Sequence, residues 1–286
     1  MANRQSSSGL SKFGDLKNRL LFLLGALVVF RIGAHIPVPG VDAAALAKLY
    51  ESASGGMLGM LNMFSGGSLE RFSIFAIGIM PYISASIIVQ LASEIMPSLK
   101  ALKKEGEAGR RVITKYTRYG TVLLALLQSF GVATFVYQQN IVVASQLEFY
   151  VSTVVCLVTG TMFLMWLGEQ MTERGIGNGI SLIITAGIAA GIPAGISRLL
   201  TLTSQGSMSM LMAVAIVIGA LLLIYVVVYF ESAQRKIPVH YAKCQVGNRL
   251  VQGQSTLIPF KLNMAGVFPS NFTYSINFFM FTLFFC

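Results

Sequence analysis

The chain has 286 residues, of which 55% are hydrophobic and 11% charged, against about 25% charged in a typical soluble domain. With a mean hydropathy of +0.70, this composition argues against a water-soluble fold. The net charge of +10 therefore has to be read against membrane topology before nucleic acid is invoked.

Residues 1–19 form a polar tail with Arg4, Lys12, Lys17 and Arg19. The run 20–36, LLFLLGALVVFRIGAHI, is the first predicted span. Its flank and length also fit a secretory signal peptide, but no small-x-small cleavage site follows and further spans lie downstream. Arg31 would cost about 2.5–3.5 kcal/mol at a helix centre. Near the interface it can snorkel, which is the plainer reading. Pro37 and Pro39 stop the helix, and 40–56 is a polar loop with a short helical patch.

The stretch MLGMLNMFSGGSLERF at 57–72 is apolar but too short to span, and Ser65-Gly66-Gly67-Ser68 breaks it. The next, FSIFAIGIMPYISASIIVQLAS at 72–93, is long enough to span. It is interrupted at Gly78 and Pro81 and carries Ser84, Ser86 and Gln90 at bilayer depth. A half-segment followed by a kinked polar span suggests a pathway more than an anchor. After Pro97 comes the most basic loop, 98–118. Further spans are predicted at 119–137, 150–168, 176–197 and 208–230, then a polar loop over 231–262 and an apolar run over 264–285. Helices are the expected spanning form.

With the N-terminus cytoplasmic, inside segments carry Arg4, Lys12, Lys17, Arg19, Lys100, Lys103, Lys104, Arg110, Arg111, Lys115, Arg118, Arg174, Arg235, Lys236, Lys243, Arg249 and Lys261. Outside segments carry Lys48, Arg71 and Arg198. The positive-inside rule selects this orientation, and it accounts for most of the net charge without nucleic acid.

Enzyme signatures are absent from the sequence: no H-E-x-x-H, no Walker loop and no pair of intramembrane carboxylates. Cys156, Cys244 and Cys286 have no C-x-x-C spacing, and His35 and His240 are far apart, so no metal site is indicated. Gly175, Gly177 and Gly179 read as a tight turn with close helix approach. Gly187, Gly191 and Gly195 share a helix face and read as packing, with a flexible helix beside a pathway as the alternative. Ile79 and Ile83, and Ile184 and Ile188, are one helical turn apart, a spacing that by itself assigns them nothing. Ser84, Ser86 and Gln90 read as interhelical hydrogen-bonding groups, and Glu169, Glu173 and Arg174 as a solvated cluster. The basic loops 98–118 and 231–262 have two readings: attraction to anionic lipid, or docking of a large acidic cytoplasmic partner such as a ribosome.

Several stretches resemble the SecY family of protein-translocase channel subunits, in the family's order and roughly its spacing. They are VVFRIGAHIPVPGVD (28–42), NMFSGG (62–67), FAIGIMPYISASII (75–88), ERGIGNGISLII (173–184), ESAQRKIPVHYAK (231–243) and NMAGV (263–267). The resemblance implies an all-α polytopic membrane protein, a SecY-like helical bundle of the bacterial type. Members have ten spanning helices in two halves that close like a clamshell around an hourglass pore. Residues 20–200 would be the N-terminal five-helix half, complete. Residues 201–269 would begin a C-terminal half that is otherwise largely missing. The tail 270–286 matches no family motif, Asn271 falls where the pore ring would take an isoleucine, and Cys244 stands where a basic residue is usual. A frameshifted or misassembled reading frame is one account of that tail.

By the same resemblance, 57–71 would be the plug, with Met60, Leu61, Met63, Phe64, Ser65, Gly66 and Gly67 at its heart. Ile79, Ile83, Ile184 and Ile188 would belong to the pore ring, and Ser84, Ile87 and Ile88 to the lateral gate. Arg235, Lys236, Lys243 and Arg249 would serve docking of the ribosome and the motor ATPase SecA. Expected partners are the SecE and SecG subunits, SecA, the ribosome, signal-bearing preproteins and membrane lipids. The expected location is the bacterial inner membrane, with no cofactor and no catalysis by this subunit. Two other readings are a small-solute secondary transporter, for which broken helices speak and the lack of acidic residues near span centres does not, and a non-functional fragment. With the second half largely missing, the 286-residue chain alone is expected not to support export. Its expression should fail to restore growth of a SecY-depleted cell, and restored growth would overturn that expectation.

Overall fold

The structure is a computed structural model that describes residues 7–41, 46, 62, 65–139, 141–142, 145–240, 244–246, 249–251 and 255–261. Met60, Leu61, Met63, Phe64 and Lys243, and the tail 270–286 with Asn271, lie outside the described residues. The described chain is mainly helical and divides into two compact units, Met1–Gly195 and Ile196–Ser270.

In the first unit α1 spans Ser7–Gly33, α2 Met80–Ile95, α3 Pro97–Lys104, α4 Glu107–Gln138 and α5 Gln146–Arg174, while α6 starts at Gly179 and runs to Ser204. α4 and α5 are each long and apolar enough to cross a membrane, as are α6 and a later helix, α7 (Met210–Ser232). α4 buries one stripe: Thr117, Thr121, Ala125, Gln128, Val132 and Val136 recur every three or four residues. α5 does the same with Phe149, Thr153, Leu157, Gly160, Leu164 and Met171. Their other faces expose Leu123, Leu127, Phe130, Val151, Val155 and Trp166, an apolar surface suited to lipid tails.

α4 packs against both α2 and α5. At one end this pairing is fastened by charge. Arg118 Nη2 of α4 donates to Glu169 Oε2 of α5 at 2.7 Å, and Arg118 Nε donates to Glu169 Oε1 at 3.2 Å. Glu169 is therefore not part of a solvated cluster with Arg174; its side chain is 18% exposed and forked to another helix.

Two predicted segments take other forms. The span expected over 72–93 is helical only from Met80, with Pro81 in the first turn, where a missing N–H costs nothing. Residues 65–79 are turns. The basic loop 98–118 is also helical: α3 folds back from α2 at a 98° bend, and α4 begins at Glu107. Lys103 and Glu94 form an ion pair across that bend.

The turn between α5 and α6 is tight, as its glycines suggest. Gly179 N donates to Thr172 Oγ at 2.9 Å, and Thr172 Oγ donates to Gly168 O at 2.8 Å. A Cβ at Gly179 would collide with the Gly168 carbonyl, so α6 can lie against α5 only with glycine there.

In the second unit, α7 is capped by Ser209, whose Oγ accepts from Met212 N at 3.3 Å. None of its residues is buried and it is apolar on every side, the composition of a helix surrounded by hydrocarbon. The 231–262 segment, expected as a loop, contains strands. β1 (Gln234–His240) pairs antiparallel with β4 (Ser255–Lys261), and β2 (Cys244–Val246) with β3 (Arg249–Val251).

The Arg118–Glu169 fork leads to a prediction. A double-mutant cycle with Arg118→Ala and Glu169→Ala, read by unfolding in detergent, should give a coupling of about 1 kcal/mol, and Arg118→Lys should recover less than half of it. Additive single effects would contradict the fork.

Candidate functional site

The site grows from the non-helical stretch 65–79. Hydrocarbon supplies no hydrogen bonds, so this backbone must be satisfied within the protein. Gly67 N donates to Asn62 O, Ser68 N to Ser65 O, and Ser73 N to Ser68 O. Ala76 N and Gly78 N close further turns on Ser73 O and Phe75 O. Side chains complete the first turn: Leu69 N donates to Ser65 Oγ at 3.2 Å, and Glu70 N to Asn62 Oδ1 at 3.0 Å. The segment after α1 supplies the rest, because Val38 N donates to Phe72 O and Ile74 N to Ile36 O. Phe72 sits at the centre with φ 45° and a side chain only 1% exposed. That conformation is strained for a bulky residue, and burial among Val38, Leu69, Val136 and Phe149 holds it.

Gly66 links this stretch to two helices. Its carbonyl accepts from Arg31 Nη1 of α1 at 3.1 Å. On the other side Gly66 lies on Gly187 of α6: a Cβ built on Gly66 would be 2.8 Å from Gly187 Cα. Gly66 has φ +67°, so its conformation and its neighbour both demand glycine. Of the three glycines spaced along α6, Gly187 thus serves close packing, whereas a Cβ at Gly191 or Gly195 would meet nothing within 4 Å. Arg31 is half-buried and directed at a carbonyl, in place of the simple snorkelling its sequence position suggests.

One turn before Gly187 begins an apolar cluster. Ile79 at the cap of α2 and Ile83 and Ile87 on its inner face are buried together, and Ile183 is buried on α6 with Ile180 and Ile184 packed alongside. Gly168 of α5 makes room for them: a Cβ there would stand 3.6 Å from Ile79 Cδ1, 3.5 Å from Ile183 Cδ1 and 3.1 Å from Ile180 Cγ1. Phe75 lies stacked between Phe30 of α1 and Phe163 of α5, with ring centroids 6.1 Å and 6.0 Å away.

The structure thus brings Ile79, Ile83 and Ile184 into one cluster, whereas Ile188 is half-buried outside it. Ile183, 3% exposed, is the α6 isoleucine most fully inside, and sequence spacing did not single it out. Ser84 and Ile87 face inward, and Ile88 faces out at 53% exposure. Ser84 Oγ donates to Met80 O, and Gln90 Nε2 to Ser86 Oγ, bonds that run along α2. Ser65, Gly66 and Gly67 form the turn beside α6. Arg235 and Lys236 are exposed on opposite faces of β1, and Arg249 lies in β3, opposite Val246. Among the described residues, no group of three or more His, Cys, Asp or Glu side chains is placed to hold a metal.

A polytopic helical membrane protein with one buried, broken segment seated beside an apolar cluster is the class this architecture defines. The SecY profile matches residues 73–285, and this chain belongs to the SecY family. The match takes in 270–285, where the motif-by-motif resemblance had stopped. The protein translocase subunit SecY of Vibrio cholerae is 54% identical over 98% of this chain, and the chain spans 63% of that relative's length. The fold is shared with a solved protein-conducting channel at a TM-score of 0.68, covering 94% of this chain and 59% of that one at 18% identity. Sec61 in the canine ribosome–channel complex from the endoplasmic reticulum matches at a TM-score of 0.67, covering 94% and 60% at 17% identity.

Burial separates Ile83 from Ile88. Ile83→Ala should destabilise the protein by about 2 kcal/mol, the low end for isoleucine truncation because hydrocarbon surroundings remove part of the transfer gain. Ile88→Ala should change stability by no more than about 0.5 kcal/mol. Equal losses on unfolding in bicelles would contradict the placement.

Proposed function

We propose that this chain lines the path of a Sec-type protein-conducting channel, through which unfolded preproteins leave the cytoplasm and membrane segments pass sideways into lipid. The observation that carries the proposal is the convergence of Ile79, Ile83, Ile183 and Ile184 beside the glycine turn at 65–67. A translocating chain brings peptide groups that cost several kcal/mol each in hydrocarbon, so it needs a wet path. The empty path must still hold back ions. A narrow ring of aliphatic side chains sheds water when empty and yields to a passing chain, because it offers no fixed hydrogen bonds to break. In this reading Ile79, Ile83, Ile184 and Ile188 form the N-terminal share of that ring. Segment 57–71 is the plug, and the α2 wall with Ser84, Ile87 and Ile88 is one side of the lateral gate.

The subunit works in the bacterial inner membrane with its N-terminus in the cytoplasm, the side the positive charges favour. It has no catalytic step; energy comes from SecA or the ribosome, and SecE and SecG complete the assembly. The 231–262 segment is the docking element. A two-stranded ribbon is marginal by itself, which favours a partner against it. β1 and β4 put Ile237 opposite Ile258 on one face and Arg235 opposite Phe260 on the same face, so an exposed apolar strip carries a cation at its end.

Photo-crosslinking tests the path. A photoreactive residue at Ile83, in membranes containing the other translocase subunits, should capture a stalled signal-bearing nascent chain. The same probe at Ile88 should capture lipid and signal sequence. Absence of nascent-chain adducts at Ile83, with adducts at outward positions such as Leu123, would reject the path.

A further inference from the structure

Arg31 is a cation inside the first apolar run, in the last turn of α1. Among the described residues no carboxylate stands within ion-pair distance of it. Its observed partner is a carbonyl dipole, Gly66 O, at 3.1 Å. That carbonyl belongs to a residue whose opposite side rests directly on the Gly187 backbone. The Gly66 peptide is thus held between a guanidinium and a helix, with α1 pressing from one side and α6 from the other. The contact partners come from three separate parts of the chain, and the surrounding turn is closed by Ser65 and Asn62.

We infer that Arg31 is the positioning residue that seats the turn at 65–71, clamping it through the Gly66 carbonyl onto the backbone of Gly187. The inference rests on the plug reading of that segment. A charged donor bonds a carbonyl about twice as strongly as a neutral one, and more so where water is scarce. The glycine contact sets how deep the segment sits, since a Cβ at Gly66 would stand 2.8 Å from Gly187 Cα and hold the two backbones apart. The guanidinium therefore fixes position, while the isoleucine cluster next to it remains free of charge. When the segment leaves, the guanidinium loses its acceptor, and water or a passing peptide carbonyl replaces it. The clamp makes the seated state the resting one without any covalent or ionic lock.

Hydrogen exchange in lipid nanodiscs tests this on the whole chain. Arg31→Ala should speed amide exchange of the peptide 62–72 by about tenfold or more, with α4 and α5 unchanged. Arg31→Lys keeps a charged donor and should stay within about threefold of the native rate. Gly66→Ala keeps Arg31 but puts a Cβ 2.8 Å from Gly187 Cα, and should speed exchange of 62–72 as well; it decides the matter if Arg31→Ala fails to fold. Native exchange rates in Arg31→Ala, or in Gly66→Ala where that variant decides, would overturn the clamp. Ion leak through proteoliposomes is read in parallel. Faster exchange with no added leak keeps the clamp and removes the sealing role of the segment, whereas native exchange removes the clamp whatever the leak.

Discussion

A polypeptide in hydrocarbon has no solvent to complete its hydrogen bonds, and the arrangement of this protein follows from how one stretch meets that constraint. Residues 65–79 lie between two apolar runs yet are not helical. Amides of this stretch find acceptors in three separate places: local turns, the Asn62 and Ser65 side chains, and the strand-like backbone at 36–38. Because Ile36 and Val38 must reach Phe72 and Ile74, the chain after α1 has to run alongside the broken stretch. Because the Phe72 ring is fully enclosed, α4 and α5 have to close over it with Val136, Phe149 and Leu157. The helices are therefore arranged around the one segment that cannot stand alone in lipid.

Packing in this setting draws little from the hydrophobic effect, since lipid tails are as apolar as isoleucine. Close approach replaces it. Gly168 admits three isoleucine side chains, and Gly179 lets α6 begin against α5. Buried Thr121 and Thr161 return their hydroxyls to carbonyls four residues earlier in their own helices. That lets small polar side chains occupy the helix faces that touch. The fork from Arg118 to Glu169 lies at the end of the same helix pair, where the carboxylate is shielded and the guanidinium reaches water.

Much of the architecture was legible in the sequence because spanning helices are long and uniform, and α4, α5, α6 and α7 coincide with predicted spans. The start of α2 was not. The run 72–79 is as apolar as a helix, and composition does not distinguish a helical turn from a buried irregular one; Gly78 and Pro81 signalled a break without locating it. Strands β1 and β4 were hidden for the opposite reason, as Pro238 and Pro259 punctuate short apolar runs that read as loop. The Ile79–Ile83 spacing was visible, but a helix turned toward lipid shows the same period. Only the meeting with Ile183 and Gly168 separates the two cases, and that meeting is tertiary. The SecY motifs had marked Ile184 and missed the deeper Ile183, because a resemblance transfers positions and not depths. Arg31 was noticed as a cost, and its acceptor lies 35 residues on, beyond any local pattern.

The contact of Gly66 with Gly187 has a kinetic side. Two backbones that touch without side chains have no rotamers to search, so leaving and rejoining the contact entails no repacking of interlocked side chains. A seat of this kind has no memory of how often it has been used. Under the clamp proposed above, a segment that left this contact would meet the same surface on its return, after a time set by the reach of its tether.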